Sequence, residues 1–125
     1  MTAFRAIVLE HFRHPRNRGP LDEAPASAEG ANPLCGDRIR VQVRVAGGTI
    51  DDARFTADAC AICIASASVL TEHVRGMRVS DAAQVDARWI HESLEGEPPA
   101  GRVKCSTLPL DTLRRALDAS GSAII

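Results

Sequence analysis

The chain has 125 residues, 45% hydrophobic and 25% charged, which is enough for one buried core and predicts a single domain over residues 1–125. Its formal net charge of −1 argues against a broad nucleic-acid surface, which requires an excess of lysine and arginine. Residues 1–13 carry charges where a secretory signal is apolar, and the longest nearly apolar run, residues 59–70, is too short to span a bilayer, so neither secretion nor a membrane partner is expected.

The first part of the chain predicts a helix followed by a segment without a clear pattern. Apolar residues recur at helical spacing over residues 2–13, and Pro15 ends the pattern, so a helix is predicted there. Residues 21–34 are rich in alanine, proline and glutamate and have no clear period. Two alternatives stay open for them, a weak edge strand near residues 28–31 or a loop.

The middle of the chain predicts a β-hairpin. Residues 38–45 alternate between apolar and polar side chains, as in a strand with one buried and one solvated face. Gly47-Gly48 predicts the turn, and the returning strand is expected over residues 49–57. Ile50 is out of phase with the apolar residues that follow it, which predicts a bulge near Asp51-Asp52.

Three helices are predicted after the hairpin. The first begins after Cys60 and runs to about Arg75, just before a glycine that favours a helix end. The second is expected over residues 80–95, and a loop with two prolines follows it. Cys105 ends that loop, and the last helix is expected to begin at Thr107.

The cysteines are the most informative residues of the chain. In the cytoplasm, where this protein is expected, thiols stay reduced, so cysteines are ligands or reactive groups before they are disulfides. In Cys35-Gly36-Asp37 the thiol and the carboxylate are two residues apart, and an extended chain points them to the same side. Cys60 and Cys105 lie at or just before predicted helix starts, where the partial positive charge stabilises a thiolate.

Cys35, Asp37, Cys60 and Cys105 are therefore the candidate metal ligands. Three thiolates and one oxygen suit tetrahedral zinc or a four-coordinate iron–sulfur cluster. A carboxylate oxygen is a harder ligand than a fourth thiolate and is more easily displaced. The donor set therefore predicts a site that handles iron and sulfur, and that loads and unloads what it binds.

Simpler roles stay open for several polar and thiol side chains. Asp37 can be a turn residue only. Cys63 lies on the apolar side of the helix after Cys60, where a small buried hydrophobe is as good an interpretation as a ligand. His73 and His91 are expected to lie in solvent on helix surfaces.

Three separated motifs resemble those of the iron–sulfur cluster assembly scaffolds, a family that includes the IscU type, the amino-terminal domain of NifU and the SufU branch, to which the chain is most similar. The resemblance covers nearly the whole chain, and the motifs occur in the family's order. The matching segments are Glu10-His11-Phe12 with Pro15-Arg16-Asn17 and Gly19, then Asn32-Pro33-Leu34-Cys35-Gly36-Asp37, then Asp52-Ala53-Arg54-Phe55 with Cys60 and residues 64–68, and finally Lys104-Cys105-Ser106-Thr107-Leu108.

The resemblance implies an α+β fold in which a small, three-stranded, largely antiparallel sheet is backed by helices. It implies that Cys35, Asp37, Cys60 and Cys105 bind zinc or a [2Fe–2S] cluster at one shared site, with Cys105 and Cys35 as candidate acceptors of persulfide sulfur. It also implies a cysteine desulfurase as partner and apo iron–sulfur proteins as recipients of the product.

The chain departs from the family pattern in ways that distinguish its branches. Lys104 stands where the IscU branch has a histidine that can ligate, so this position is similar to SufU, yet the long insertion typical of SufU between the second and third cysteines is missing. A protonated lysine cannot ligate, so Lys104 is expected to tune the site by lowering the pKa of Cys105. The chaperone motif of the IscU branch is reduced to residues 97–101, which argues against delivery by an Hsp70-type chaperone.

We therefore expect a cytoplasmic iron–sulfur cluster scaffold that accepts persulfide sulfur from a desulfurase and transfers a transient [2Fe–2S] cluster. One alternative is a zinc-dependent sulfurtransferase that uses the same site and builds no cluster, and the choice between the two decides whether the protein is an enzyme. A thiol–disulfide oxidoreductase using Cys60 and Cys63 is a third hypothesis, but it leaves Cys35 and Cys105 without a role. A structural zinc domain without a transfer role is the fourth.

Overall fold

A three-stranded antiparallel sheet in the order β1-β2-β3 organises the computed structural model, which describes residues 2–22 and 26–120. With its helices the sheet forms the α+β fold that the resemblance implies. The strands are β1 (Ala26–Asn32), β2 (Asp37–Ala46) and β3 (Thr49–Asp58). The helices are α1 (Thr2–Arg13), α2 (Ala61–Val74), α3 (Val79–Ala82), α4 (Ala87–Ser93) and α5 (Val103–Ala119), with a 3₁₀ turn at Ala100–Arg102.

The predicted hairpin of β2 and β3 is confirmed, including its turn and its bulge. Gly47 and Gly48 both have positive φ angles, 60° and 78°, which a two-residue turn of this kind requires and which glycine adopts without strain. The pairing shifts next to Arg44, which lies opposite Asp52 while the next residue lies opposite Ile50. Asp51 is therefore the additional residue of the bulge, and it restores the apolar residues of β3 to the buried face.

The segment without a clear pattern contains a full edge strand, which is longer than the 28–31 alternative predicted. All seven residues of β1 pair with β2, from Ala26 opposite Val43 to Asn32 opposite Asp37. The side chains of β1 are small because α5 packs closely against the strand. The sequence of β1 therefore lacks the alternation of large apolar and polar residues by which a strand is usually predicted. Gly30 marks the contact, since a Cβ at that position would overlap the Thr112 hydroxyl of α5.

One hydrophobic core lies between the sheet and the helices α2 and α5. Both helices contact the sheet, and α2 also contacts α1 and α4, so ten of its fourteen residues are buried. No helix within residues 2–22 and 26–120 is long and apolar enough to cross a membrane. The core side chains that are less than 2% exposed include Val41, Val43, Ile50, Phe55, Leu70, Leu113 and Leu117.

The amino-terminal helix is attached to α2 by a hydroxyl. Ser68 of α2 is fully buried and lies 2.7 Å from Nδ1 of His11, and its oxygen also accepts the backbone N–H of Arg16 at 2.9 Å. The segment after α1, residues 14–20, then runs beside β3, where Phe55 donates its N–H to the Asn17 carbonyl at 3.1 Å. This segment therefore covers part of the outer edge of β3, through a single isolated parallel bridge between Arg18 and Phe55.

Two helix boundaries that the sequence pattern predicts are wrong. Residues 80–95 form two short helices, α3 and α4, because the Asp86 carboxylate accepts the N–H of Trp89 at 3.0 Å and starts a new helix. The last helix begins at Val103, four residues before Thr107. Pro109 lies inside it, and since proline has no N–H, the helix accommodates it at the loss of one backbone hydrogen bond.

Gly30→Ala tests the close contact between β1 and α5. The added methyl group has no space beside Thr112, so the free energy of unfolding should fall by about 1–3 kcal/mol, the usual cost of overpacking a core. Gly101→Ala is the matched control, because a Cβ there meets nothing within 4 Å. Urea unfolding of both variants is the measurement, and equal stabilities would show that α5 does not press on β1 as described.

Candidate metal centre

The tip of the β1–β2 hairpin holds the first two candidate ligands. Asn32, the last residue of β1, closes the turn with its backbone carbonyl, which accepts the N–H of Cys35 at 3.1 Å and the N–H of Gly36 at 2.8 Å. Gly36 has a φ angle of 75°, a backbone conformation that is strained in residues with a side chain. The turn delivers Cys35 half-buried at its tip and Asp37 buried at the start of β2, with 1% of its surface exposed.

The Asp37 carboxylate connects this turn to the start of α2. Cys60 is the N-cap residue of α2 and makes no capping hydrogen bond with its own side chain. Instead, Oδ1 of Asp37 accepts the Cys60 N–H at 2.9 Å, and Oδ2 lies 3.9 Å from Cys60 Sγ. A carboxylate from another element thus stabilises the positive end of the helix, and it holds the second cysteine beside the first ligand pair.

Cys105, from α5, is the fourth candidate ligand. It is the third residue of α5, in the first helical turn as expected, although inside the helix rather than before it. Its Sγ is fully buried, lies 3.4 Å from Cys35 Sγ, and is 3.8 Å from the amide nitrogen of Asn32, which donates to it. Asn32 therefore fixes both the turn that carries Cys35 and the sulfur of Cys105.

These side chains could hold a metal ion. Within the described residues, ligand atoms of Cys35, Asp37 and Cys105 all lie within 4.8 Å of one another, and all four cysteines are free thiols. Cys60 reaches the same carboxylate but lies outside that tightest group, at the half-buried mouth of the site. Soft thiolates with one displaceable oxygen fit zinc or a cluster iron, so the donor set agrees with the chemistry that the sequence predicts.

Burial keeps Cys105, the most buried of the candidate ligands with a thiol, in its protonated form. Loss of hydration raises the pKa of Cys105, and the neighbouring Asp37, Cys35 and Cys60 raise it further. The helix start is expected to favour the thiolate, but in the protein alone burial outweighs it. A second negative charge beside Asp37 is unfavourable unless a cation is present, so Cys105 is poised to release its proton when a metal ion binds.

Arg102 is a site residue that the sequence reasoning did not identify. The pKa of its guanidinium is raised, first by its interaction with Cys105 and then by the charges of Cys35 and Cys60. Its position three residues before Cys105, just ahead of α5, is the signal that could have revealed it. Lys104, which is expected to tune the site, is exposed in the first turn of α5, and its role stays a prediction.

Cys63 lies behind the site rather than in it. It is fully buried in α2, and burial raises the pKa of its thiol, with the charges of Asp37 and Cys60 adding to the effect. A thiol–disulfide oxidoreductase needs accessible, acidic thiols. The surroundings of Cys63 therefore argue against a reactive Cys60–Cys63 pair and favour its alternative role as a small hydrophobe.

His73 and His91 are both expected to lie in solvent. The expectation holds in part for His73 and is wrong for His91. His73 is exposed, but its ring stacks on Trp89 with the centroids 4.1 Å apart. The side chain of His91 is only 15% exposed, and its Nε2 lies 3.0 Å from Oγ of Ser106, next to Cys105. The helical spacing gave no sign of this contact, because α5 starts earlier than the pattern indicates.

Fold and site together define a small α+β domain with a cysteine- and aspartate-lined centre. Residues 3–121 match the family described as NifU-like N terminal domain, and the chain belongs to that family. The match confirms the family resemblance that the three motifs carry.

Relatives with both expected functions are found. The chain is 38% identical over 112 residues to the iron-sulfur cluster assembly scaffold protein IscU of Aquifex aeolicus, covering 88% of this chain and 71% of that protein. It is 30% identical over 134 residues to the zinc-dependent sulfurtransferase SufU of Bacillus subtilis, covering 93% and 90%. It also matches the bifunctional protein NifU/MnmA of Rubrobacter xylanophilus at 38% identity, but it spans 23% of that longer protein.

A solved structure has the same fold along almost its whole length. It is described as an iron-sulfur cluster assembly scaffold protein for the SUF system of Fervidobacterium islandicum. The TM-score is 0.79 at 26% sequence identity, and the match covers 93% of this chain and 97% of that one.

A pair of cysteine variants separates ligands from buried neighbours. Cys60→Ala should weaken Co²⁺ binding by at least about tenfold, because loss of a ligand should cost no less than loss of an outer hydrogen-bond partner. Cys63→Ala, three residues further along the same helix, should leave the affinity unchanged. Titration with Co²⁺, followed by thiolate-to-cobalt charge-transfer absorption, is the measurement. Equal losses in both variants would assign Cys63 to the site and contradict the proposed ligand set.

Proposed function

We propose that this protein is a scaffold that assembles a transient [2Fe–2S] cluster on Cys35, Asp37, Cys60 and Cys105 and transfers it to apo iron–sulfur proteins. Sulfur would come from a cysteine desulfurase as a persulfide. The observation that carries the proposal is the position of Asp37, which lies among the thiols and also bonds the start of α2. Because the Asp37 carboxylate keeps its hydrogen bond to the Cys60 N–H when it leaves the metal, it suits a site that must release the cluster it assembles.

The first sulfur acceptor in this proposal is Cys35. It is half-buried at the hairpin tip, next to Leu34, whose surface is 83% exposed, whereas Cys105 is fully buried. Its thiolate would attack the outer sulfur of the desulfurase persulfide, forming a new S–S bond while the desulfurase cysteine leaves as a thiolate. Cys105 Sγ, 3.4 Å away, is placed to take that outer sulfur in a second exchange, in which the Cys105 proton passes to the Cys35 sulfur and Cys35 leaves as a thiol.

Asp37 gives the site a way to release its cargo. When its carboxylate is not a ligand, the Cys60 N–H still satisfies Oδ1, so the buried charge keeps a partner. Arg102 lies outside the thiols and would stabilise the negative charge that a persulfide or a cluster brings. These residues bind, neutralise and release. Each persulfide sulfur needs two electrons to become a cluster sulfide. Of the four electrons for two sulfides, two would come from two ferrous ions that become ferric and two from an external one-electron reductant.

A zinc-dependent sulfurtransferase is the second candidate function. It is favoured by Lys104, which resembles the SufU branch, and by the match to the sulfurtransferase SufU of Bacillus subtilis over nearly both lengths. The same four side chains would bind zinc, and docking of the desulfurase would free one cysteine to take up sulfur. Metal analysis and a visible spectrum of protein purified without oxygen distinguish the two, since zinc is colourless and a [2Fe–2S] cluster is not.

Asp37→Ala tests the release step. Loss of the displaceable oxygen should slow cluster transfer to apo-ferredoxin by roughly tenfold or more, the scale expected when a metal's coordination is disturbed. Asp37→Asn keeps an acceptor for the Cys60 N–H, so it separates loss of the ligand from loss of the helix contact. Asp118→Ala, at an exposed position near the end of α5, is the control. An unchanged transfer rate with unchanged metal content would make Asp37 a structural residue only.

Arg102→Ala and Lys104→Ala test the cations beside Cys105. Both should slow sulfur uptake from the desulfurase without removing the metal. Arg102→Ala should have the larger effect, because Cys105, Cys35 and Cys60 all raise the pKa of its guanidinium. Exposed charges are strongly screened, so we expect changes of roughly two- to fivefold that shrink as salt is added. Arg88→Ala is the control, on the exposed surface of α4. Complete loss of metal from either variant would show a structural role instead.

A further inference from the structure

A chain of polar contacts connects α4 to the first turn of α5. Nε2 of His91, in α4, lies 3.0 Å from Oγ of Ser106, and that oxygen lies 2.6 Å from the carbonyl of Val103. On the other side, Nδ1 of His91 lies 4.0 Å from a carboxylate oxygen of Glu97. Ser106 directly follows Cys105, so the contacts end at the turn that carries the deepest thiol of the metal centre.

The proton positions in this chain follow from the chemistry of the partners. The Val103 carbonyl can only accept, so the single hydroxyl proton of Ser106 is donated to it. The Ser106 oxygen must then accept from His91, which places a proton on Nε2 and leaves Nδ1 facing the Glu97 carboxylate. The Ser106 hydroxyl is then satisfied in both of its roles, as acceptor from His91 and as donor to the Val103 carbonyl.

The order carboxylate, imidazole, hydroxyl also occurs in hydrolases, but here it cannot serve nucleophilic catalysis. Ser106 is fully buried, and its proton is committed to a backbone carbonyl rather than to the imidazole. A nucleophilic serine needs the opposite polarity, with its proton passing to the base, and it needs access to a substrate. The contacts are therefore suited to holding a helix turn in place.

We infer that His91 is a positioning residue of the metal centre. By donating to Ser106 it fixes the first turn of α5, and that turn sets where the Cys105 sulfur points. This inference rests on the proposed function, since it assumes that Cys105 is a ligand. Asn32 and Cys35 contact Cys105 Sγ directly, at 3.8 Å and 3.4 Å, whereas His91 acts on the helix turn that carries this sulfur.

The experiment compares His91→Leu with His91→Gln in the full chain. Leucine removes the donor, whereas glutamine keeps an N–H that can reach Ser106. His14→Leu is the control, because it makes the same change at an exposed histidine. Titration with Co²⁺ should show an affinity about 10–100-fold weaker for His91→Leu, with an altered thiolate-to-cobalt absorption, and recovery of both in His91→Gln. Thermal melting without metal checks that each variant folds.

A second readout does not depend on metal. In the protein without added metal, alkylation of Cys105 should be at least threefold faster in His91→Leu than in the wild-type chain, while Cys60 should react at the same rate in both. Mass spectrometry of the peptides measures each cysteine separately. If His91→Leu does not fold, Ser106→Ala removes the acceptor with a smaller change in volume and should give the same result.

The outcomes for the two proposals are distinct. A wild-type chain that binds Co²⁺ without thiolate absorption would contradict the proposed function. Unchanged Cys105 alkylation and unchanged cobalt affinity in His91→Leu would overturn the role of His91 and leave the proposed function standing. Failure of His91→Gln to recover either property would show that His91 fills space rather than donating a hydrogen bond, and would also overturn the inference.

Discussion

The hydrogen bond between the Asp37 carboxylate and the Cys60 N–H is the interaction on which this structure depends. A carboxylate that is 1% exposed needs a donor, because burying it without one costs several kcal/mol. The start of α2 supplies that donor together with the positive end of the helix, a contact worth about 1 kcal/mol in itself. The bond joins the sheet to its most buried helix, and it places two ligand-bearing segments side by side.

The other segments of the site are held by comparable means. Asn32 bonds both the turn that carries Cys35 and the sulfur of Cys105, and the His91–Ser106 contact holds the turn that contains Cys105. Each anchor comes from a different element, so the site exists only when the sheet, α2 and α5 have assembled. Such support places ligands within the narrow tolerances that metal binding demands, while the half-buried cysteines stay open to a partner.

The sequence was a good guide wherever one local pattern decided the structure. The hairpin with its bulge, α1 and α2 follow from alternation, helical spacing and paired glycines. Tertiary contacts decided the rest. β1 is a strand because β2 and α5 complete it, and residues 80–95 divide where Asp86 caps a new helix. The early start of α5 hid Arg102, because a cation ahead of a helix that begins at Val103 does not stand out in the sequence.

The most direct test of the central claim is X-ray absorption at the zinc edge of the zinc-loaded protein. Cys35, Asp37, Cys60 and Cys105 as ligands predict three sulfur atoms at ~2.3 Å and one oxygen at ~2.0 Å. A shell of four sulfur atoms would place Cys63 in the site and remove Asp37 from it. A shell of oxygen and nitrogen alone would mean that the thiols bind no metal, and it would contradict the account as a whole.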